Sequence, residues 1–161
     1  MSISDAQLQQ VKEELQRIQG NCLYNAQAYF EAAKSAELWG RLMVFLPASV
    51  TAITGVLVAV GAGKEFGALA AVAGAVAATA SFLGNTKKAA DFLASARSYT
   101  ALRHKVHSEL SFLRPEVDFD SARERAREFN HEYIRIAATD IPVPNKKFTK
   151  ASKRIEQGAA T

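Results

Sequence analysis

The sequence predicts an all-α membrane protein, in which a hairpin of two transmembrane helices is flanked by long amphipathic cytoplasmic helices. No charged residue lies within residues 42–63 or residues 66–86, and only Lys64 and Glu65 separate the two runs. Each run matches the roughly 20 residues that a helix needs to cross the hydrocarbon core of a bilayer. Before and after these runs, apolar residues recur at intervals of three and four, which is typical of amphipathic helices.

A soluble protein with a buried helical hairpin is the alternative to this fold. Two uncharged runs in succession would then need other apolar elements to cover them, and the flanking helices have only one apolar side each. We therefore favour the membrane fold, with four segments. These are an N-terminal amphipathic helix (1–41), the hairpin (42–86, with spans at about 42–63 and 66–86), a long helix (87–114), and a C-terminal helix with a basic tail (115–161).

The flanking helices are expected to pack on one another through apolar seams. The first helix begins near Ser4, where Gln7 completes a capping box. Its seam is Leu8, Val11, Leu15, Ile18, Cys22, Tyr29, Ala32, Ala36 and Trp39, interrupted by the polar Asn25. The later seams are Phe92, Ala96, Tyr99, Val106, Leu110 and Leu113, with Leu102 alongside, and then Ala122, Ala126, Phe129, Tyr133, Ile136 and Ala137 in a helix from about Asp120. The last residues are either a flexible tail or a short helix near anionic headgroups.

Basic residues orient the hairpin. They lie at the outer ends of the spans, at Lys34 and Arg41 before the first and at Lys87 and Lys88 after the second, whereas the loop has Lys64 alone. Because basic residues near membrane ends favour the cytoplasmic side, both termini are predicted to be cytoplasmic.

Glycine, tryptophan and proline mark the ends of the two spans. Gly63 and Gly67 permit the tight reversal between the helices. Trp39 falls where the chain enters the interface, a common position for an amphipathic ring. Pro47 lies in the opening turns of the first span, where it is expected to kink or restart the helix, so we take it as a candidate hinge.

Rows of small residues predict close packing of the spans. In lipid, helices associate through small residues that let their backbones approach. The rows are Thr51, Gly55, Ala59 and Gly63 on the first span, and Gly67, Ala71, Ala75 and Thr79 with Ala70, Gly74 and Ala78 on the second. One face of the second span can pack inside the hairpin and the other against a neighbouring subunit, which predicts a homo-oligomer. Chance spacing in an Ala-rich helix is the alternative for the second span.

Hydroxyl groups are the main polar side chains within the spans. In a pore built from several hairpins, the candidate lumen-facing residues are Ser49, Thr54, Thr79 and Ser81. The alternative is that each hydroxyl donates to a carbonyl of its own helix. No ionisable residue lies in either span, which argues against a proton relay or an ion-coupled transporter.

No pattern in the sequence predicts an enzyme, a metal site or a cofactor site. Residues 58–65 fail the phosphate-loop pattern, since Val58 replaces its first glycine and Glu65 its hydroxyl residue. His104 and His107 are spaced to share a metal on a helix, but they lack a third ligand nearby. The single cysteine cannot form an internal disulfide, which indicates a reducing compartment.

Basic residues outside the spans are the remaining candidates for a binding site. The 161 residues include 20 Lys and Arg against 16 Asp and Glu, and the formal charge of +4 at pH 7 is too modest to favour nucleic-acid binding. Arg123, Arg125 and Arg127 alternate with acidic residues, which is typical of a solvated helix face. The alternative is a role in contacting a phosphate or nucleotide. The further candidate ligand- or partner-facing residues are Arg97, Arg103 and Lys105.

The order of elements resembles the SLATT effector domains of bacterial conflict systems over roughly residues 5–115. The resemblance lies in the architecture and in four stretches of sequence. These are residues 24–33 (YNAQAYFEAA), 38–41 (LWGR), 82–92 (FLGNTKKAADF) and 96–103 (ARSYTALR). Residues 115–161 lie outside the resemblance, and it assigns no role to an individual residue.

The resemblance implies a membrane effector that oligomerises and perforates the inner membrane of a bacterium when infection is sensed. Its implied partners are the lipid bilayer, further copies of the chain, and a nucleotide second messenger or a sensor protein. The alternative function is a non-enzymatic membrane anchor or scaffold that presents a helical interaction module. Leakage of dye from liposomes separates the two, since an anchor leaves the vesicles sealed.

Overall fold

The computed structural model describes residues 4–61, 63, 65–82 and 85–158, and the regular elements among them are five α-helices. The helices are α1 (Asp5–Ala59), α2 (Glu65–Phe82), α3 (Asn85–Phe112), α4 (Phe119–Thr139) and α5 (Asn145–Glu156). The predicted all-α class is therefore confirmed. The chain forms two compact units, the first from Met1–Ala32 with Asp91–Thr161 and the second from Ala33–Ala90.

The start of α1 is set by the predicted capping box. The backbone N–H of Gln7 donates to the Ser4 hydroxyl at 3.3 Å, and the Ser4 N–H donates to the side-chain oxygen of Gln7 at 3.1 Å. These two bonds satisfy N–H groups that the first turn of a helix leaves without partners. Helix α4 begins slightly earlier than predicted, because Asp118 rather than Asp120 caps it by accepting from the N–H of Ser121.

The apolar seams predicted for the first and third helices form the core of the first unit. Its buried members are Leu8, Val11, Leu15, Ile18, Cys22, Tyr29 and Ala32 from α1, and Phe92, Ala96, Tyr99, Leu102, Val106 and Leu113 from residues 92–113. Leu110 is only half-buried. Helix α4 buries Ala122 and Ala126, but Ala137, predicted for the same face, is exposed because it lies in the last turns of the helix.

Aromatic rings join three helices of the first unit. The Tyr99 ring contacts Tyr29 and Tyr133, with ring centroids 5.8 Å apart in each pair. Asn25, the polar residue within the first seam, donates its side-chain N–H to the Tyr133 hydroxyl at 2.9 Å. Burial, and then the neighbouring carboxylate of Asp140, raise the pKa of Tyr29 and of Tyr99, so both hydroxyls remain protonated donors at neutral pH.

The C-terminal basic segment is an ordered helix that docks on α1. Ala151 of α5 is fully buried, and the Phe148 ring stacks on Tyr24 with centroids 5.6 Å apart. Glu31, which is only 2% exposed, accepts from both Lys150 and Arg154 of α5. Of the two predicted forms of this segment, the short helix is the observed one, and two of its basic residues pair with Glu31.

The buried cysteine gives a direct test of this core. Cys22 is fully buried, and burial together with the nearby Glu132 raises the pKa of its thiol to about 12. Because the thiolate is the nucleophile, we expect iodoacetamide to modify Cys22 at pH 8 about a thousandfold more slowly than a free cysteine of pKa about 8.5. Mass spectrometry checks the result, and the same protein in urea, where Cys22 should react fully, is the control. Equal rates in the folded and unfolded protein would contradict the packing of α1.

The second unit differs from the predicted hairpin in several details. Helix α1 runs through Pro47 without a break, so it does not restart there; a proline removes only one N–H from a helix that continues to Ala59. The glycine with a positive φ in the turn is Gly61, at 89°, whereas Gly67 lies inside α2. Residues 83–84, between α2 and α3, lie outside the described residues.

Candidate membrane-inserting surface

The second unit exposes a large set of apolar side chains, which we call the apolar surface. Its members are Leu38, Trp39, Met43, Val44, Phe45, Leu46, Val50, Ile53, Val56, Val58, Val60, Leu69, Val72 and Val76. They occupy successive positions around α1 and α2 rather than one stripe. A helix that is apolar on all sides belongs inside a protein or a bilayer, not in water.

One described helix contains a segment long and apolar enough to cross a membrane. An 18-residue window of α1 has a mean hydropathy of 2.1, and only 6% of it is buried within the chain. Low burial separates this segment from the core helix of a soluble domain, which can have the same composition. The apolar part of α2, Phe66–Thr79, is shorter. Among the described residues, α1 is thus the one candidate span by length.

The rows of small residues are open in the single chain. A Cβ atom added at Gly55, Gly67 or Gly74 would meet no other atom within 4 Å. The other members of the rows are half-buried at Thr51 and Ala70 and exposed at Ala59, Gly63, Ala71, Ala75 and Ala78. The described part of the chain therefore leaves these glycines accessible to a second molecule.

The hydroxyl groups of the second unit donate to their own helices. Ser49 donates to the carbonyl of Phe45 at 2.9 Å, and Thr79 to that of Ala75 at the same distance. Thr54, which is almost completely buried, donates to the carbonyl of Val50 at 2.8 Å. Donation to a carbonyl of the same helix was the alternative to hydroxyl groups that face a pore lumen. Each of these bonds uses the single proton of its hydroxyl group. The side chain of Ser81 lies outside the described residues.

The predicted ligand-facing basic residues all lie on α3 but have different surroundings. Lys105 pairs with Glu132 at 2.7 Å, so its charge forms an ion pair between α3 and α4. Arg97 is exposed and Arg103 is half-buried, both on α3. No group of three or more His, Cys, Asp or Glu among the described residues could hold a metal, and this includes the surroundings of His104 and His107.

The three arginines of α4 have different surroundings. Arg125 is held by both carboxylate oxygens of Glu109, at 2.9 and 3.1 Å. Arg123 and Arg127 instead line a groove of about 640 Å³ between α1 and α4, which Arg17 also lines. Sequence reasoning missed Arg17, because only the packing of the two helices brings residues more than a hundred positions apart to one groove.

No protein-family model, curated protein or solved structure matches this chain. The class of the protein therefore follows from its own geometry. It is an all-α protein with one unit built around a conventional apolar core and a second unit whose apolar side chains face outward.

Proposed function

We propose that this protein is an oligomeric membrane effector whose second unit inserts into a bilayer as a two-helix hairpin. The observation that carries the proposal is the apolar surface, since no described part of the chain covers it. Leaving so many large apolar side chains in water is costly, and lipid is a solvent that removes the cost without a protein partner. The resemblance to SLATT effector domains supports the same function.

The short connection between the helices supports the hairpin topology. Helix α1 ends at Ala59 and α2 begins at Glu65, and a connection of this length is typical of two helices that reverse direction. With Lys64 and Glu65 at the far interface and the remaining basic residues near the outer ends, both termini lie on the cytoplasmic side. The short apolar part of α2 then depends on protein neighbours to remain inserted.

The open small residues support assembly into an oligomer. Helices in lipid gain little from apolar contact alone, so they associate where small residues permit close approach and van der Waals packing. Two helices enclose no lumen, and a pore therefore requires several copies of the hairpin.

Dye leakage from sealed liposomes tests the effector function against the anchor alternative. The purified full-length protein is added to vesicles loaded with a self-quenched dye, and release is followed over time. An effector releases the dye, whereas an anchor or scaffold binds to the vesicles and leaves them sealed. Flotation of the vesicles on a density gradient shows binding in both cases, so a sealed vesicle with bound protein would reject the effector function.

Bulky side chains at the open glycines should separate insertion from assembly. We expect the double substitution Gly55→Leu and Gly74→Leu to lower leakage about tenfold, equivalent to a loss of about 1.4 kcal/mol in assembly, with little change in vesicle binding. A Cβ atom at either position has open space within 4 Å, so the loss would report mainly on contacts between molecules. Gly20→Leu is the matched control, because Gly20 is a helical glycine of the first unit with equally open surroundings. Leakage unchanged by the double substitution would contradict close packing at these rows.

A further inference from the structure

The groove between α1 and α4 lies wholly within the first unit and has a volume of about 640 Å³. Its floor contains Val11 and Ala126, two buried members of the core, so the groove is anchored by well-packed helices. Small-molecule sites commonly have volumes of about 300–1,000 Å³ and combine an apolar lining with a few polar groups. The groove falls within this range.

The arginines of the groove differ from two neighbouring basic residues on α3 and α4. Lys105 pairs with Glu132 and Arg125 pairs with Glu109, in each case across two helices. No such cross-helix partner is observed for the groove arginines.

The ion pairs that the groove arginines do make are local. Arg17 pairs with Glu14 of its own helix at 2.6 Å, and Arg127 pairs with Glu124 of its own helix at 3.4 Å. Arg123 makes no ion pair or hydrogen bond with the part of the chain that the structure describes. Three arginines and two glutamates, Glu13 and Glu14, line the groove, so its basic groups exceed its acidic groups by one. An anion placed beside Arg123 would give that guanidinium a partner.

We propose that this groove binds a small phosphate-bearing ligand. Guanidinium groups bind phosphate through paired N–H donors, and Arg123 and Arg127 lie one turn apart on α4 beside this groove. Arg17 adds positive charge, but its Nε and Nη2 groups already donate to Glu14, at 3.1 and 2.6 Å. The N–H groups of the first turn of α4 are not the main anchor, because Asp118 caps that end of the helix. Arg123 and Arg127 therefore carry the phosphate contact.

The other side chains that line the groove indicate which chemical groups the ligand has besides its phosphate. The carboxylates of Glu13 and Glu14 and the amides of Gln10 and Asn130 also line the groove. These oxygens accept hydrogen bonds from hydroxyl or amino groups and disfavour a ligand that is anionic throughout. The half-buried ring of Phe119 offers a face for a flat ring. A nucleoside phosphate has all three properties: a phosphate, hydroxyl and amino donors, and a flat base.

This assignment depends on the first unit alone and stands or falls independently of membrane insertion. Isothermal titration of the detergent-solubilised full-length protein with ATP, GTP and pyrophosphate tests it. We expect ATP or GTP to bind saturably and more tightly than pyrophosphate, which lacks the donors and the ring. The double substitution Arg123→Ala and Arg127→Ala should lower that affinity at least about tenfold, a loss of about 1.4 kcal/mol.

Arg114→Ala with Arg135→Ala is the matched control for the titration. Arg114 and Arg135 are exposed arginines of the first unit that do not line the groove, so the control removes two charges without removing a contact. Far-UV circular dichroism confirms that each variant is folded, which is expected because Arg123 and Arg127 are exposed. Saturable binding by neither nucleotide, equal affinity of the wild type and the Arg123→Ala, Arg127→Ala variant, or an equal loss in the control variant would each overturn the proposal.

Discussion

Replacing Val56 and Val72 together by aspartate is expected to release the protein from the membrane fraction. Both side chains are 63% exposed, one on α1 and the other on α2. In water, a polar substitution at such a position changes the free energy of unfolding by about 0.5 kcal/mol or less. In the centre of a bilayer, each aspartate costs about 3 kcal/mol, so that the pair opposes insertion by about 6 kcal/mol. The size of the effect thus reports which solvent surrounds the apolar surface.

Carbonate extraction of membranes followed by immunoblotting measures this outcome. The wild-type chain should stay in the pellet, and the double variant should leave it or be degraded. Ile134→Asp is the matched control, because Ile134 is 53% exposed on α4 in the first unit and should tolerate a charge in water. A double variant that stays in the pellet as firmly as the wild type would count against insertion of α1 and α2.

Loss of both basic partners of Glu31 is expected to destabilise the first unit strongly. Burial alone would raise the pKa of Glu31, but the hydrogen bonds and charges of Lys150 and Arg154 outweigh it and lower that pKa. The double substitution Lys150→Met and Arg154→Met leaves a buried carboxylate without a counter-charge. We expect it to lower the free energy of unfolding by about 3 kcal/mol, the low end for a buried pair, since Lys150 and Arg154 are 60% and 40% exposed.

Thermal unfolding followed by circular dichroism in detergent measures the loss. Lys146→Met with Lys153→Met is the matched control, because these lysines of α5 are exposed and away from Glu31. Adding Glu31→Gln to the destabilised variant should restore part of the stability, since it removes the uncompensated charge. If both lysine-containing double variants lose stability equally, the pairing of Glu31 is not what holds α5.

The same ion pairs impose a direction on the pH dependence of stability. The pKa of Glu31 is lowered in the folded chain, so the folded state binds fewer protons at this group than the unfolded state does in acid. The contribution is therefore complete above the pKa that the carboxyl has in the unfolded chain. It is lost as the pH falls from that value through the lowered pKa of the folded state. Glu31→Gln should remove this part of the acid dependence.

Much of the first unit could be predicted from periodicity because its contacts are repetitive. Spacings of three and four identify the buried side of a helix, and they placed Leu15, Ile18, Tyr99 and Val106 correctly in the core. The capping box of α1 could be predicted equally well, because it depends on two residues that are three positions apart in the sequence. The two-span arrangement, the oligomer and the pore remain predictions.

Contacts between distant segments could not be predicted in the same way. A glutamate in an amphipathic helix ordinarily faces water. No residue near Glu31 in the sequence indicates that α5 packs against it. The groove has the same origin, because Arg17 and Arg123 become neighbours of one space only when α1 and α4 pack. At Pro47 the predicted restart of the helix does not occur, because the helical residues on either side continue α1 through it, whereas a kink or hinge there stays a prediction.

The position of Trp39 gives the molecule an intrinsic optical reporter. It is the only tryptophan of the chain and is 56% exposed in the second unit, whereas all four tyrosines belong to the first. Indole emission therefore originates from one unit only, and its wavelength follows the polarity around residue 39. Spectra recorded while the protein mixes with vesicles can follow the arrival of that unit at the lipid without an attached dye and without a contribution from the helical core.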